Sequence, residues 1–332
     1  MNRQLELPQF VLEWCRRLGA NPDTLARLNG GINNQVFRCT AGRQTFVLKG
    51  YLESITSQHD RFRAETEFLT YATAVTPTFV PRLVYSDRAS RSIVVEHLEG
   101  EGFQEGEQPL EKDLAKAVEF IRLLNSDQAS AVEAISGAAA DGFLSITEHL
   151  ENVETRILRM NSDHLPTDLQ AEVDDVILKL KHQWSRLNEV THKILQMGYC
   201  EDILDPKKCC ISPSDFGFHN AIRTSQGVKF FDFEFAGWDD PTKTVSDFDL
   251  QPRIAIWPRE FVLRRGMPRW NNTLERRSRA LFPILGLKWV CIILALLDLE
   301  RYRQMYRYRS RINVPDLLRN KLQLVESYIP KE

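Results

Sequence analysis

An aspartate, an asparagine and a second aspartate occur at spacings that suit phosphoryl transfer. Asp215 and Asn220 lie in the run SPSDFGFHN, residues 212–220, and Asp232 begins the run DFE twelve positions after Asn220. Transfer of a phosphoryl group from a magnesium nucleotide needs one carboxylate to orient the attacking hydroxyl and two oxygen ligands to hold the metal. Asp215 is therefore the candidate for the first role, and Asn220 and Asp232 are the candidate Mg²⁺ ligands.

A short hairpin is predicted to bring these side chains together. Two strand-like segments follow Asn220 and precede Asp232, and the polar turn TSQG joins them. Pairing of Arg223 with Val228 sets Asn220 opposite Phe231, beside Asp232. Because neighbouring strands lie about 4.8 Å apart, both side chains could reach one ion. The alternative is an ordinary surface turn that carries acidic residues.

Both runs resemble the catalytic and metal loops of the aminoglycoside phosphotransferase and choline kinase family, relatives of protein kinases. Members carry His-Gly-Asp-x-x-x-x-Asn, followed by Ile-Asp-Trp/Phe-Glu-x-Ala-Gly-x-x-Asp-Pro. The second run here reads FDFEFAGWDDP, residues 231–241, and Asp247 follows where the family often has a further aspartate. The family's histidine two residues before the catalytic aspartate is Pro213 in this chain. Since that histidine braces the loop, we expect a different brace here.

The N-terminal third contains a glycine turn between strand-like segments. Gly30 and Gly31 lie in the run LNGGINNQVFRC, residues 28–39, and Gly42 forms a second turn before the run TFVLK, residues 45–49. Glycine pairs let exposed backbone N–H groups approach phosphates closely. Taken alone, the glycine pair favours a plain hairpin turn over a phosphate-binding loop.

The residues around this turn favour a nucleotide site. The predicted register pairs Cys39 with Gln44 and sets Lys49 opposite Asn34. Strand alternation then puts two aliphatic residues on the face of Lys49, where they could cover an adenine while the ammonium meets phosphate oxygens. The candidate nucleotide-binding residues of this region are Gly30, Gly31, Asn33, Asn34, Val36, Val47 and Lys49, with Val47 opposite Val36.

A helix is predicted over residues 57–75, and its apolar stripe includes Glu65. An unpaired carboxylate on such a stripe is costly, and a lysine of the neighbouring sheet would relieve that cost. We therefore expect an ion pair between Lys49 and Glu65, as in the kinase pattern of a strand lysine held by a helix glutamate. The alternative is that Glu65 bends out to solvent.

An apolar strand at residues 92–96 runs into a polar segment that ends at Gly100. The family resemblance implies that this segment is the hinge between two lobes and that its backbone groups read the adenine edge. By the same resemblance, Glu96 and Leu98 would offer those groups.

Length and composition fit a two-lobed α/β (α+β) protein. The chain has 332 residues, which exceeds the length that a single hydrophobic core usually supports. Its 43% hydrophobic and 27% charged residues are typical of a globular protein. The resemblance implies a protein-kinase-like fold, with a small antiparallel-sheet lobe at residues 1–98 and a larger, mainly helical lobe at residues 99–332. A net charge of −2 gives no general reason to expect nucleic acid. The N terminus lacks the apolar run of a secretory signal, so a cytoplasmic protein is expected.

Several other segments have simpler interpretations. Six irregularly spaced cysteines argue against a disulfide framework, and adjacent Cys209 and Cys210 lack the spacing of a zinc site. The apolar stretch at residues 281–299 is interrupted and too short for a membrane span, which favours a buried helix. Residues 101–113 are predicted to form a linker or the start of the helical lobe. Residues 144–200 have helical periodicity, and family members place a helical pair there that shapes the acceptor pocket.

The charge of residues 253–311 bears on the acceptor. This region has fourteen lysines and arginines against four acidic residues. Aminoglycosides and choline are cations, so a pocket lined by these arginines would favour a neutral or anionic sugar-like alcohol. The alternatives are a solvated arginine face and, because tyrosines alternate with arginines at residues 301–309, a surface for RNA or anionic lipid.

These observations predict an enzyme that moves the γ-phosphate of ATP, with Mg²⁺, to a hydroxyl of a small molecule. A nucleotide-binding regulator with little turnover is one alternative, since Pro213 replaces the family histidine. A choline- or ethanolamine-type kinase is another. A protein kinase is disfavoured, because Asp232 runs within nine residues into Asp240-Pro241 and leaves no room for a long activation segment.

Overall fold

Residues 7–28, 34–52, 59–256, 259–308 and 313–325 are described by the structure, which is a computed structural model. The chain divides into two units. The first comprises Met1–Ala140 and Ile211–Trp238, and the second comprises Asp141–Cys210 and Asp239–Glu332. This division does not coincide with the boundary predicted between residues 98 and 99, and that boundary stays a prediction.

A five-stranded antiparallel sheet, in the order β1-β2-β3-β5-β4, forms the N-terminal part of the first unit. It confirms the small antiparallel sheet predicted there. Its strands are β1 (Asn21–Arg27), β2 (Asn34–Ala41), β3 (Gln44–Tyr51), β4 (Leu83–Asp87) and β5 (Ser92–Glu96). Helix α1 (Gln9–Leu18) covers one face, where Phe10, Val11 and Trp14 pack against apolar residues of the sheet.

The register of the β2–β3 hairpin differs from the predicted one by two residues. Ala41, rather than Cys39, pairs with Gln44. The loop therefore holds only two residues, and Gly42 supplies the positive φ, +60°, that such a tight turn requires. The prediction was wrong because it allowed a loop of four residues.

The corrected register moves the predicted partners but keeps their face. Lys49 lies opposite Val36, and Asn34 lies opposite Tyr51. Because side chains alternate with a period of two, a two-residue shift leaves Val36, Val47 and Lys49 on the same side of the sheet. That side is opposite the one covered by α1, so it is available to other parts of the first unit.

Helix α2 (Arg61–Val75) carries Glu65 and ends at the predicted residue. The side chain of Asp60 caps its first turn by accepting a hydrogen bond from the Arg63 N–H, at 3.2 Å. The predicted start at Ser57 lies outside the described residues. Glu65 is buried on the apolar face of α2, beside Phe62 and Phe68.

The remainder of the first unit contains the predicted catalytic hairpin. Its helices are α3 (Glu111–Leu124) and α4 (Gln128–Ala134), and its strands are β6 (Glu101–Gly102), β8 (Ala221–Thr224) and β9 (Gly227–Phe230). Arg223 pairs with Val228, which confirms the predicted hairpin register. Strand β6 pairs with β8, so residues 101–113 supply an edge strand as well as the start of α3. Strands β7 (Cys210–Ser212) and β10 (Gly237–Asp239) lie where the chain passes between the units.

The second unit is mainly helical. Its helices are α5 (Ile146–Leu158), α6 (Thr167–Gln196), α7 (Pro241–Leu250), α8 (Asn272–Ile293), α9 (Leu299–Tyr308) and α10 (Val314–Val325). Helices α5 and α6 confirm the helical periodicity predicted for residues 144–200. The apolar part of α8 is buried in the core, as predicted for this stretch. Across the described ranges, every helix is too short or too polar to cross a bilayer.

Buried ion pairs surround α7 in the second unit. Lys288 donates to both carboxylate oxygens of Asp247 at 2.8 Å, and Lys243 donates to Asp239 at 2.7 Å. The Arg277 side chain donates to Asp240 at 2.6 Å. Arg277 and Lys288 are thus two basic residues of the 253–311 region that neutralise buried acids. The arginines of that region that are exposed in the described ranges are Arg253, Arg264, Arg265, Arg269, Arg276, Arg279, Arg301 and Arg303.

Candidate active site

Lys49 of β3 and Glu65 of α2 form the predicted ion pair. The Nζ of Lys49 donates to Oε2 of Glu65 at 2.5 Å, and both residues are buried. The hydroxyl of Tyr51 donates to the same oxygen at 2.6 Å. Because Tyr51 follows Lys49 by two positions on one strand, both side chains point to α2. The helix glutamate is therefore held by two donors of β3.

Two further carboxylates from residues 232–234 surround Lys49. Its Nζ also forms an ion pair with Oδ1 of Asp232 and lies 3.8 Å from Oε2 of Glu234. The carboxylate oxygens of Glu65, Asp232 and Glu234 all lie within 4.8 Å of one another. The strand lysine is thus the cation at the centre of a three-carboxylate cluster that includes the predicted metal ligand Asp232.

The electrostatics of the cluster favour a charged Lys49. Burial by itself lowers the pKa of Lys49, but Asp232, Glu65 and Glu234 outweigh it, so the pKa lies above its ordinary value. Burial raises the pKa of Glu65, and Lys49 offsets part of that rise. Burial and the Glu65 carboxylate hold the pKa of Tyr51 well above its ordinary value, so Tyr51 stays a hydrogen-bond donor.

Asn34 connects the start of β2 to the cluster. Its Nδ2 donates to Oε2 of Glu234 at 2.7 Å, and the residue is buried. A ring nitrogen of His59 lies 2.9 Å from the backbone oxygen of Glu234. Glu234 therefore joins the strand that follows the glycine turn to the predicted metal loop, across 200 positions of sequence.

The backbone of the DFE run alternates between the core and the site. Phe233 is buried, and its ring centroid lies 4.4 Å from that of Phe68 on α2. Asp232 adopts a positive φ of +67°, a region that aspartate tolerates better than most residues. Its side chain keeps 36% of its surface exposed beside the buried Lys49. A buried aromatic anchor and a left-handed turn thus hold this carboxylate at the surface of the cluster.

The loop before the hairpin places Asp215 next to Asn220. The Nδ2 of Asn220 donates to the backbone oxygen of Asp215 at 3.0 Å. The Phe231 N–H donates to the backbone oxygen of Asn220, also at 3.0 Å, so Asn220 faces Phe231 as predicted. The Asp215 side chain is 39% exposed. A continuous set of hydrogen bonds therefore joins the predicted catalytic loop to the residue before Asp232.

His219 also contacts Asp215. Its Nε2 lies 3.3 Å from Oδ1 of Asp215, and the His219 side chain is only 4% exposed. In the same loop, Ser214 has a φ of +58°, and its N–H donates to the Oγ of the buried Ser212 at 3.0 Å. Phe216 is anchored in an aromatic cluster, 4.8 Å from Phe230 between ring centroids. The loop is therefore braced by residues other than Pro213.

The predicted hinge begins where β5 ends. The His97 N–H donates to the Thr45 backbone oxygen at 3.1 Å, and the Glu96 side chain forms an ion pair with Lys229 at 3.2 Å. Within the part of the chain that the structure describes, the Leu98 amide has no backbone hydrogen-bond partner.

The structure groups the predicted site residues in two neighbouring sets. Asn34, Lys49, Glu65 and Asp232 meet in the carboxylate cluster, and Asp215 and Asn220 meet in the loop. Gly30, Gly31 and Asn33 lie outside the described residues. Sequence reasoning missed the contacts of Tyr51, Glu234 and His219. The acidic run DFE could have indicated Glu234 as a site residue. The proline at position 213, where a histidine was expected, could have led to His219 as another residue that holds the loop.

Comparisons with known proteins show the family and the fold of the chain. Residues 24–243 match the family model described as the phosphotransferase enzyme family. No significant match was found among curated protein sequences. Solved structures with the same protein-kinase-like fold include a spectinomycin phosphotransferase in complex with ADP and spectinomycin. It has a TM-score of 0.61 and 12% identity, over 99% of this chain and 96% of that one.

Two kinases of the choline and ethanolamine type are also similar. A choline/ethanolamine kinase family protein from Mesorhizobium loti has a TM-score of 0.58 and 15% identity, over 97% of this chain and 96% of that one. The ethanolamine kinase of Plasmodium vivax has a TM-score of 0.57 and 10% identity, over 98% and 91%. At these identities the structural likeness shows the fold alone. From the family match, the chain belongs to the phosphotransferase enzyme family and is an ATP-dependent small-molecule kinase that acts on an alcohol group.

Proposed function

We propose that this kinase transfers the γ-phosphate of ATP to a hydroxyl of a small neutral or anionic sugar-like alcohol. The observation that carries the phosphotransfer site is the buried Lys49, held between Glu65 and the partly exposed Asp232. A fixed ammonium next to a carboxylate suits a triphosphate, because the ammonium neutralises phosphate charge directly and the carboxylate can hold a metal ion that neutralises more of it.

The nucleotide would bind along the face of the sheet that carries Lys49. Val36 and Val47 share that face and would cover the adenine, while the Lys49 ammonium would contact phosphate oxygens. Gly30, Gly31 and Asn33 would close over the phosphates, with Asn34 tied to Glu234 at the end of the same segment.

Backbone groups after β5 would read the adenine edge. Glu96 is the last residue of β5, and the amide of Leu98 has no backbone partner in the described ranges, so it is available as a donor. This position would form the hinge, and we propose the lobe boundary at residues 98 and 99 on that basis.

Mg²⁺ would be held by Asn220 and Asp232. Both offer oxygen ligands of the kind that Mg²⁺ prefers. The side chain of Asp232 is partly exposed. The Nδ2 of Asn220 donates to the backbone oxygen of Asp215, and its Oδ1 accepts no hydrogen bond in the described part of the chain. The donor set therefore fits the ion, which would neutralise charge on the transferred phosphoryl group.

Asp215 would orient the acceptor hydroxyl and accept its proton. Its carboxylate is partly exposed, and its backbone is fixed by Asn220, so the group is both reachable and held. Catalysis would depend on positioning and charge neutralisation, because this type of transfer needs no covalent enzyme intermediate.

The acceptor class rests on charge. Residues 253–311 have ten more basic than acidic residues (fourteen against four), and at least eight arginines there are exposed. An acceptor pocket lined by such residues would disfavour polycationic aminoglycosides and choline relative to neutral or anionic alcohols. The choline- or ethanolamine-type kinase is the second candidate, because the similar structures include kinases of that type.

An acceptor screen tests this proposal. Purified protein with ATP and Mg²⁺ would be given a panel of neutral sugars, acidic sugars, amino alcohols and aminoglycosides, and phosphorylated products would be measured. We expect product from the neutral or acidic group, and loss of that product in Asp215→Asn. Preferred turnover of choline or an aminoglycoside would contradict the proposed acceptor class. Nucleotide binding without product from any acceptor would support the regulator instead.

A further inference from the structure

The resemblance described above implies a bracing histidine two residues before Asp215, and this chain has none at that position. Pro213 occupies that position, and a proline ring offers no N–H with which to hold a carboxylate. The neighbouring backbone is held in another way, since the Ser214 N–H donates to the Oγ of Ser212. That contact fixes the chain before Asp215 but does not orient its side chain.

We propose that His219 is the positioning residue that orients the carboxylate of Asp215, in place of the missing histidine. This inference rests on the proposed function of Asp215. The Nε2 of His219 lies 3.3 Å from Oδ1 of Asp215. An imidazole at Oδ1 restricts rotation about the Cβ–Cγ bond and so fixes the direction in which the carboxylate meets the acceptor hydroxyl.

The burial of His219 makes it a rigid support. Its side chain is 4% exposed, while that of Asp215 is 39% exposed, so the acid can meet a substrate and the imidazole cannot readily do so. Burial of this kind suits a group that acts through another residue. His219 is therefore assigned to orientation, and direct contact with the acceptor is left to Asp215.

The local fold explains why an imidazole four residues later can reach back. A single 3-10 turn spans Phe218–Asn220 and returns the chain toward Asp215. The ring of Phe218 is buried, 4.8 Å from that of Phe103 between centroids, and it anchors the turn. The next residue, Asn220, donates to the Asp215 backbone oxygen. Adjacent residues of one turn thus hold the side chain and the backbone of the same aspartate.

Three variants test this assignment by kinetics. His219→Ala should lower kcat by about 10- to 100-fold, the scale expected for misplacing a reacting group, with the KM for ATP changed by less than about twofold. His219→Gln keeps a side-chain N–H donor and should recover most of that loss. Pro213→His combined with His219→Ala restores the arrangement of related loops and should exceed His219→Ala in kcat. His192→Ala removes an exposed histidine of α6 and should match the wild type.

A crystal structure of each variant supplies a readout that needs no turnover. We expect one Asp215 rotamer in the wild type and in His219→Gln, and several or a displaced one in His219→Ala. An unchanged Asp215 rotamer in His219→Ala, or kcat within about twofold of the wild type, would overturn the assignment. Weaker ADP binding in parallel with kcat, with no recovery in His219→Gln, would also overturn it. A wild type without turnover would refute the proposed function, while the rotamers would still decide the role of His219.

Discussion

Replacement of Lys49 by methionine is the sharpest perturbation of the site. Methionine has a similar length and no charge, so Lys49→Met removes the cation at the centre of the cluster with little change in volume. Three carboxylates whose oxygens lie within 4.8 Å of one another would then face each other without a compensating cation. We expect a large loss of stability as well as of activity.

The size of the stability loss follows from the geometry. Two unit charges 4.8 Å apart repel by about 3.5 kcal/mol at an effective dielectric constant of about 20. Three such pairs amount to about 10 kcal/mol, which is comparable with the whole free energy of unfolding of a typical protein. The cluster would therefore take up a proton, and burial already raises the pKa of Glu65. Removal of one partner of a buried pair costs about 3–5 kcal/mol, and we expect a free energy of unfolding lower by that amount near pH 8.

The loss should depend on pH with a defined sign. In Lys49→Met the folded-state pKa of the cluster lies above the unfolded value, so the folded state binds more protons. Stability is therefore retained below the unfolded carboxylate pKa of about 4.5 and is lost as pH rises through the raised folded pKa. We expect the difference between Lys49→Met and wild type to be smaller at pH 5 than at pH 8.

Urea unfolding at both pH values measures these differences. The double variant Lys49→Met/Glu65→Gln removes one of the facing charges and should recover part of the loss. Lys193→Met is a matched control, because Lys193 forms an exposed ion pair with Glu189 and its removal should cost less than about 1 kcal/mol. A loss below about 1 kcal/mol for Lys49→Met at both pH values would refute the reasoning, as would an identical loss in the double variant.

Three further predictions follow from single contacts. Gly100→Ala should lower the free energy of unfolding by about 2 kcal/mol or more, because φ is +156° and a Cβ would lie 2.1 Å from the Arg223 carbonyl oxygen. Gly102→Ala, where a Cβ meets nothing within 4 Å, is its control, and equal effects in urea unfolding would contradict the steric argument. Burial by itself raises the pKa of Asp247, but Lys288 and Lys243 have the larger effect and lower it to about 2. The Asp247 carboxylate therefore contributes about 2 kcal/mol to the free energy of unfolding, and this contribution is lost as pH falls from about 4 to about 2. In a profile of unfolding free energy against pH, Asp247→Asn should reduce the fall over that range. An unchanged fall would show that the ion pairs of Asp247 are not its source. Asp232→Asn should reduce Mg²⁺-dependent turnover by about 100- to 1,000-fold, and saturation with Mg²⁺ at wild-type concentrations would argue against Asp232 as a ligand.

The elements that position the site differ in how well the sequence predicts them. The β8–β9 register was predicted because a polar turn that ends in glycine fixes which residues face each other. The β2–β3 register was wrong by two residues, since a shift of two preserves every inward and outward position. Only the geometry of the turn at Gly42 separates the two registers, and hydrophobic pattern carries no information about it.

The site was predictable where one residue's burial demanded a partner. Glu65 on an apolar helical stripe required a cation, and Lys49 was the lysine of the neighbouring strand. The sequence positions of Glu234 and Tyr51 did not indicate a buried partner, because acids in loops and tyrosines at strand ends are common on protein surfaces. Their contacts arise from the tertiary fold, which brings Asn34 to Glu234 across 200 positions.

Transfer of labelled γ-phosphate from ATP to an acceptor hydroxyl is the most direct measurement of the central claim. With wild-type protein, Mg²⁺ and a pool of neutral and acidic sugars, we predict a labelled organic phosphate whose formation requires the acceptor. The same reaction with Asp215→Asn should yield at least about 100-fold less product. Equal product from Asp215→Asn, or label released only as inorganic phosphate with every acceptor, would contradict the claim that Asp215 directs phosphoryl transfer to an alcohol.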